Sequence, residues 1–386
     1  MRAYVFTDPA LASQAGRFVW LEIDAEKPGN AALRKQLSIA ALPSSFVLDP
    51  ADERVALRWV GGATAPQLAR ILDDGHAAVA AGVVASGKGA PETSPDAALA
   101  RADDAYGRAD YAAAAAAYHD ALAKAPADWP RYGRAVESLL YALQQTDAFE
   151  SGVRLALEAY PRLPRTPSTA NIAASGLDCA LSLPREHPRR AEFVAALDRI
   201  ARTVVDDRGI PMAADDRSGV YIALLSARED AHDSTGAHAT AAAWSAFLDR
   251  EAARATTPDA RAVFDSHRLA AYLELGQPER AVPMLTASER DLPGDYNPPA
   301  RLATAWKAMK RWTEALAASD RAMAKAYGPR KLLFYQTRSD IYVGLADSTA
   351  ARRTLAEAVS FAEALPPGQR SETTIATLKR KLQALH

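Results

Sequence analysis

The sequence has almost no cysteine. Cys179 is the only one among 386 residues, so the chain cannot form an internal disulfide or carry out chemistry between two of its own thiols. The surrounding residues, SGLDCALSL, are mostly apolar and helical in pattern. This setting favours an inert core role for Cys179, because a free cysteine usually behaves as a small buried apolar residue.

The sequence also lacks an excess of charge of one sign. It has 46 Lys and Arg against 47 Asp and Glu, for a net charge of −1, and no run of five basic residues. A balanced chain creates no field that attracts a polyanion. The composition therefore predicts no nucleic-acid partner and no attraction to an anionic membrane surface.

No long hydrophobic run is present. The longest stretch of small apolar residues, Ala77–Ala85, is far shorter than the roughly 18–20 residues that cross a bilayer. The first ten residues, MRAYVFTDPA, have no apolar segment and do not resemble a secretory signal. The chain as written is therefore expected in the cytoplasm, whereas an omitted upstream signal would place it in the periplasm or outside the cell.

Motifs that would indicate an enzyme are missing as well. No glycine-rich phosphate loop and no Gly-x-Ser-x-Gly elbow occurs, and the seven histidines are scattered. The acidic pairs Asp206-Asp207 and Asp215-Asp216 are interpreted as a polar turn between helices. The sequence thus predicts no catalytic residue, no metal site and no cofactor.

Composition divides the sequence into three regions. In residues 1–75, β-branched segments alternate with short helical ones, and residues 76–96 are rich in Ala, Gly, Ser and Pro, which predicts a helix tail and a linker. In residues 97–386, Ala-rich helical segments are separated by Pro, Gly and Asp turns. The predicted fold class is mainly α, with a helical solenoid preceded by a partial α/β domain.

The helical region repeats itself. An alanine follows the turn between two predicted helices at Ala281, Ala315 and Ala351, with spacings of 34 and 36 residues. A small residue there lets the second helix approach the first, and an aromatic residue of the first helix, such as Tyr272 or Trp306, fills the space between neighbouring pairs. The clearest repeats are predicted at 95–128, 262–295, 296–329 and 332–365.

This pattern resembles the tetratricopeptide repeat (TPR), in which helix pairs stack into a solenoid. The degenerate stretch 129–261 would add three more hairpins. The resemblance implies a concave groove lined by the first helix of each pair, which would bind a protein or peptide, and an exposed edge that allows self-association. The residues predicted to face the groove are Asp103, Tyr106, Ala270, Leu273, Arg301, Thr304, Lys307, Gln336 and Asp340. The sequence favours solvated surface for Arg301 and Lys307 over the carboxylate clamp of some repeat proteins.

Residues 1–75 resemble a thioredoxin domain that lacks its first half. The predicted elements are a helix over about 1–14, strands in 18–25, 39–50 and 53–62, and helices at 31–37 and 65–75. Leu42-Pro43 stands where the family has a cis-proline loop beside its substrate, and Gly61-Gly62 stands where its last strand turns into its last helix. The Cys-x-x-Cys pair of the family does not occur in this sequence.

Two functions follow from these resemblances. In the first, the chain is a non-catalytic interaction or scaffold protein whose solenoid binds a partner, and the thioredoxin-like part is a remnant. In the alternative, the recorded start is an internal methionine, and the full-length protein is a thiol–disulfide oxidoreductase with upstream cysteines. The missing cysteine pair favours the first function for this chain.

Overall fold

The computed structural model describes residues 4–84, 93–163 and 165–385. Most of these residues are helical, and the sheet they contain has two strands. The mainly α fold class is therefore confirmed. Within the described ranges, no helix is both long and apolar enough to span a bilayer. Of the predicted linker 76–96, residues 85–92 lie outside the described residues.

The regular elements are numbered in chain order. The first ten are α1 (Ala31–Gln36), β1 (Ser44–Leu48), β2 (Val55–Val60), α2 (Ala65–Val84), α3 (Pro95–Gly107), α4 (Tyr111–Lys124), α5 (Tyr132–Gln145), α6 (Phe149–Ala159), α7 (Ser168–Ser182) and α8 (Arg190–Asp206). The others are α9 (Ala214–Asp230), α10 (Ser234–Arg254), α11 (Pro258–Ala262), α12 (Asp265–Glu274), α13 (Ala281–Asp291), α14 (Asn297–Ala308), α15 (Trp312–Lys325), α16 (Lys331–Gly344), α17 (Ser348–Ala364) and α18 (Glu372–Ala384). Short 3₁₀ helices occur at Pro9–Gln14, Pro28–Asn30, Tyr160–Arg162 and Pro278–Arg280.

The chain forms two compact units. The N-terminal unit consists of Met1–Val19 and Ile39–Thr240, and the C-terminal unit consists of Trp20–Ser38 and Ala241–His386. This division cuts through the predicted domain 1–75, because its middle segment groups with the C-terminal helices. The predicted domain therefore does not form a unit of its own.

The two strands form a small antiparallel sheet in the N-terminal unit. Ser44 lies opposite Val60, and the strands pack on α2. The largest buried side chains of this core are Leu57, Trp59, Leu68 and Ile71. Arg58 of β2 donates a hydrogen bond to the carbonyl of Gly107 at the end of α3 (3.1 Å), so the sheet covers the first helix of the helical region.

The strand expected at 18–25 is not formed, and this part of the thioredoxin-like expectation was wrong. Instead, the end of this segment is bound by residues in the connections between helices of the C-terminal unit. The Tyr327 hydroxyl donates to Asp24 (2.6 Å), and the Gln369 side chain donates to the carbonyl of Ala25 (2.9 Å). Its β-branched and aromatic composition favours a strand only where a neighbouring strand supplies hydrogen bonds, so these tertiary contacts override the local preference.

Glycine permits the close approach of Trp20–Ser38 to two connections between helices of the C-terminal unit. Gly328 has a positive φ of 63°, and a Cβ atom there would lie 2.1 Å from the carbonyl oxygen of Glu26. A Cβ atom at Gly368 would lie 2.0 Å from the carbonyl oxygen of Ala31. Both distances are far below contact, so any other residue at either position would push the two segments apart.

Six turns between paired helices of the described chain share one backbone geometry. Each places one residue in the left-handed region, and the next N–H donates to the carbonyl five positions back, as Gln277 does to Tyr272 (2.8 Å). The left-handed residues are Ala109, Asp147, His232, Gly276, Lys310 and Ala346, with φ from 54° to 65°. This hydrogen-bond pattern is the Schellman motif, which ends a helix and reverses the chain direction.

Small residues allow the paired helices to pack closely. Ala281, Ala315 and Ala351 each follow such a turn and are fully buried. In the N-terminal unit, a Cβ atom at Gly176 of α7 would lie 2.5 Å from the Cβ of Ala156 on α6. The four predicted repeats each contain a helix pair, and the six helices predicted between 129 and 261 are present as α5–α10.

Candidate functional site on the first helices

Successive first helices of the hairpins contact one another in each unit. In the N-terminal unit α5 contacts α7 and α7 contacts α9, and in the C-terminal unit α12 contacts α14 and α14 contacts α16. In stacked helical hairpins, this layer forms an extended concave binding surface. The side chains on this layer, the first-helix surface, therefore form the candidate functional site.

Tyr106 does not lie on an accessible surface, contrary to its predicted groove position. It is 1% exposed, and its ring makes edge-to-face contacts with Tyr111, Tyr118 and Tyr141 at centroid distances of 5.7–6.0 Å. Burial raises the pKa of the Tyr106 hydroxyl well above its usual value. This tyrosine cluster packs the core of the first hairpins.

The predicted groove residues of α14 and α16 lie together and pair across the helices. Lys307 donates to Asp340 (2.8 Å), and Gln336 accepts a hydrogen bond from Lys381 of α18 (2.6 Å). Such partly exposed pairs contribute about 1 kcal/mol or less each. Thr304 is half-buried on the same surface, as are Ala270 and Leu273 of α12.

Arg301 is half-buried and lies within electrostatic reach of the buried carboxylate of Asp265. Asp265 is fully buried, its Oδ2 accepts a hydrogen bond from the Ser288 hydroxyl (2.6 Å), and its Oδ1 has no hydrogen-bond partner among the described residues. Desolvation lowers the pKa of Arg301 and raises that of Asp265, while attraction between the two charges opposes both effects.

An ion-pair network joins helices at the start of the N-terminal unit. Arg134 of α5 donates two hydrogen bonds of 2.9 Å to Asp103 of α3 and lies 3.0 Å from Asp74 of α2. Asp103 also accepts a hydrogen bond from the Tyr118 hydroxyl (2.8 Å). These groups hold one another, so this end of the first-helix surface is structural.

Glu137 of α5 is a buried carboxylate with one unused oxygen. The residue is 9% exposed, and its Oε2 accepts a hydrogen bond from Asn171 of α7 (2.5 Å). Its Oε1 is buried and has no hydrogen-bond partner among the described residues. Desolvation raises the pKa of Glu137 to about 7, against the smaller opposing effects of hydrogen bonding by Ser168 and then by Asn171.

Asp216 in the first turn of α9 is a second such carboxylate. Its Oδ2 is buried without a hydrogen-bond partner among the described residues, and desolvation raises its pKa to about 6. Its charge also raises the pKa of Glu137, which places the two carboxylates within electrostatic reach of each other. Its Oδ1 would lie 3.0 Å from a Cβ atom at Gly62, after β2, so this loop borders Asp216 closely.

Sequence reasoning missed this acidic site. The segment with Asp215 and Asp216 was interpreted as a polar turn, but α9 already begins at Ala214. The available signals were a glutamate within the apolar run AVESLLYAL and an asparagine 34 residues later, one repeat away. Asp178 lies two helical turns after Asn171, and desolvation raises its pKa to about 6.

The predicted substrate-side loop lies just before β1. Leu42 is 55% exposed, Pro43 is also exposed, and the peptide bond between them is cis. The Pro43 carbonyl accepts a hydrogen bond from the N–H of Gly61 (2.9 Å). A role of this loop in binding a substrate stays a prediction.

The single thiol is far from reactive. Cys179 of α7 is fully buried, and desolvation raises its pKa to about 12. Within the described ranges, His, Cys, Asp and Glu side chains form no group of three or more that could hold a metal ion.

No protein-family model matches the sequence, and a search of curated proteins found no match. Solved structures give distant matches. A tetratricopeptide repeat protein from Parabacteroides merdae ATCC 43184 is 10% identical, with a TM-score of 0.48, over 76% of this chain and 100% of that chain.

Two further structures have lower TM-scores. The APC/C hetero-tetramer Cut9–Hcn1 is 15% identical, with a TM-score of 0.35, over 83% of this chain and 54% of the matched chain. The TPR2AB domain of yeast Sti1, in a complex with pHSP90, is 15% identical, with a TM-score of 0.28, over 75% of this chain and 98% of that chain. Two of the three are described as TPR structures, but all three similarities are too distant to show a family for this chain.

Proposed function

We propose that this chain is a non-catalytic scaffold that binds a protein or peptide partner along the first-helix surface. The observation that carries the proposal is the repeated hairpin geometry. Within each unit, the shared turns and buried small residues bring successive first helices together, so that polar side chains one repeat apart lie on a shared surface of that unit. An extended surface of this kind suits a chain-like ligand better than a small substrate.

Affinity for peptides selected from a random displayed library against the full chain tests this proposal. Ser175→Arg on α7 and Thr304→Arg on α14 place a bulky charge on half-buried first-helix positions. Ser151→Arg on α6 and Thr313→Arg on α15 place the same group on exposed second-helix positions. Each selected peptide should lose about tenfold or more in affinity with one first-helix variant and little with either control.

Equal weakening by the second-helix variants, or no weakening by any variant, would contradict the proposal. Self-association is a related prediction, and the same four variants test it. If copies of the chain associate through the first-helix surface, the first-helix variants alone should shift the sedimentation profile toward the monomer.

The alternative function, a thiol–disulfide oxidoreductase, needs a reactive thiolate. Cys179, the single cysteine of this sequence, is buried, and its raised pKa keeps it protonated at neutral pH. The chain should therefore not reduce a model disulfide. Turnover that survives Cys179→Ser would exclude this thiol as its source and would require another catalytic group.

A further inference from the structure

We propose that an apolar cavity of the C-terminal unit binds a large apolar side chain of the partner that is followed by an acidic residue. This inference rests on the proposed function, since it assigns a second contact with a protein or peptide partner. The cavity has a volume of about 330 Å³, and its walls include Pro28, Tyr327, Phe361, Ala364, Leu365 and Pro366. None of these residues belongs to a first helix, so the cavity is separate from the first-helix surface.

The first argument is the size and the openness of the cavity. Its volume is at the lower end of the range of ligand cavities, about 300–1,000 Å³, so it suits one large side chain. Pro28 and Ala364 are exposed, so the cavity opens to solvent on their side. A small-molecule ligand is usually buried over most of its surface, whereas an open cavity suits a side chain whose backbone stays outside.

The second argument is that hydrogen bonds fix two of the walls. The Tyr327 hydroxyl donates to Asp24 (2.6 Å), which holds the connection between α15 and α16. The Gln369 side chain donates to the carbonyl of Lys27 (3.0 Å), which directly precedes Pro28. Walls that are already ordered lose little conformational freedom when a ligand binds, so the apolar contact is retained as affinity.

The third argument is charge, and it indicates the acidic residue. The ammonium group of Lys331 lies 5.8 Å from the centroid of the Phe361 ring, which forms part of the cavity wall, and it has no ion pair with a described residue. Glu26 and Glu363, which lie close in sequence to Pro28 and Ala364, each pair with another basic side chain (3.5 and 2.7 Å). The charge of Lys331 is therefore available to a carboxylate of the partner.

The probe for the test is acetyl-Phe-Asp amide, titrated with the full chain at constant ionic strength and followed by ligand-observed NMR. Comparison ligands are acetyl-Phe-Asn amide, acetyl-Ala-Asp amide and 3-phenylpropionate. The variants are Lys331→Gln, which removes the charge, and Ala364→Leu, which enlarges a side chain of the cavity wall. Matched controls at exposed positions are Lys310→Gln and Ala356→Leu, the latter about 12 Å from Ala364 along α17.

We expect acetyl-Phe-Asp amide to bind saturably, and acetyl-Ala-Asp amide to bind about tenfold or more weakly, because alanine leaves the cavity unfilled. Acetyl-Phe-Asn amide should bind up to about fivefold more weakly, as for a partly exposed ion pair. Lys331→Gln should bind the Phe-Asp and Phe-Asn peptides alike, because the charge that distinguishes them is gone. Ala364→Leu should weaken both peptides about tenfold, and the two control variants should bind them as the unchanged protein does.

Three outcomes would overturn the inference. These are no saturable binding of acetyl-Phe-Asp amide, unchanged affinity in Ala364→Leu, and a difference between the Phe-Asp and Phe-Asn peptides that persists in Lys331→Gln. Equal or tighter binding of 3-phenylpropionate would also overturn it, because the cavity would then suit a free apolar acid.

Circular dichroism establishes that each variant is folded before it is titrated. The comparison among the three peptides uses the unchanged protein, so it tests the inference even if a variant fails to fold. None of these results alters the peptide selection with the Ser175 and Thr304 variants, so failure of the inference can be told from failure of the proposed function.

Discussion

Replacing Glu137 by glutamine should make the N-terminal unit more stable at high pH and leave its stability unchanged at low pH. Burial raises the pKa of this carboxyl group from 4.5 to about 7. At about 1.4 kcal/mol per pKa unit, ionised Glu137 lowers the free energy of unfolding by about 3 kcal/mol. Glutamine has the size of the protonated acid and never ionises.

The sign follows from proton binding. Between about pH 4.5 and pH 7, the folded state holds a proton on Glu137 that the unfolded state has lost, so the free energy of unfolding falls as pH rises. Below this range both states are protonated, and above it both are ionised and the full cost persists. The glutamine variant should therefore match the unchanged protein at about pH 3.5 and exceed its stability by about 3 kcal/mol at about pH 8.5.

The assay should report on the N-terminal unit, because a chain with two units need not unfold in one step. Hydrogen exchange in increasing urea, followed by mass spectrometry on peptides from α5 and α7, gives a local free energy of opening. Glu158→Gln, at an exposed position of α6, is the matched control and should follow the unchanged protein at both pH values. Parallel pH profiles for Glu137→Gln and the unchanged protein would refute the reasoning, since they would mean that Glu137 ionises in the folded state as it does in water.

Three further predictions concern the packing of the N-terminal unit and are tested by urea unfolding or labelling. Gly176→Ala should destabilise the N-terminal unit by about 1–3 kcal/mol, because the added methyl group would lie 2.5 Å from a carbon atom of α6. Gly219→Ala on α9 should instead stabilise the unit by about 0.5–1 kcal/mol, because its methyl group would meet nothing within 4 Å. Cys179, being buried with a raised pKa, should react with iodoacetamide only in denaturant, and rapid labelling of the native protein would contradict its burial. Asp103→Asn should lower the free energy of unfolding by about 3–5 kcal/mol, because it removes a charge that pairs with the buried side chain of Arg134. An unchanged free energy of unfolding would mean that Asp74 alone is enough to compensate the charge of Arg134.

Local sequence patterns were sufficient to locate the helices. The three hairpins predicted in 129–261 are present as the six helices α5–α10, from Tyr132–Gln145 to Ser234–Arg254. Apolar periodicity and turn residues are properties of neighbouring positions, so they can be read without knowing the tertiary structure. The strand predicted at 18–25 failed for the converse reason, since contacts with residues some 300 positions away, such as Tyr327, decide its conformation.

Whether an individual side chain points toward the core or toward the surface was harder to predict. Tyr106 lies on a first helix, but its ring turns toward tyrosines of α4 and α5, because a rotation of one residue around a helix moves a side chain by about 100°. Glu137 was overlooked because it lies in an apolar run, where periodicity indicates only a core face. Its neighbours in space, Asn171 and Asp216, belong to later helices, so no local window contains the site.

The repeat explains why the first-helix surface carries both paired polar side chains and polar atoms without a hydrogen-bond partner. Stacking brings side chains that are about one repeat apart in the sequence next to each other in space. Lys307 and Asp340 are 33 residues apart, and Glu137 and Asn171 are 34 residues apart. A polar residue on a first helix can therefore be satisfied by a matching residue one repeat away or by water, and a buried atom that has neither remains unsatisfied. Lys307 and Asp340 satisfy each other, so they stabilise the stack and offer little to a partner. Glu137 keeps an oxygen without a hydrogen-bond partner among the described residues despite its match, so a match one repeat away does not satisfy every polar atom.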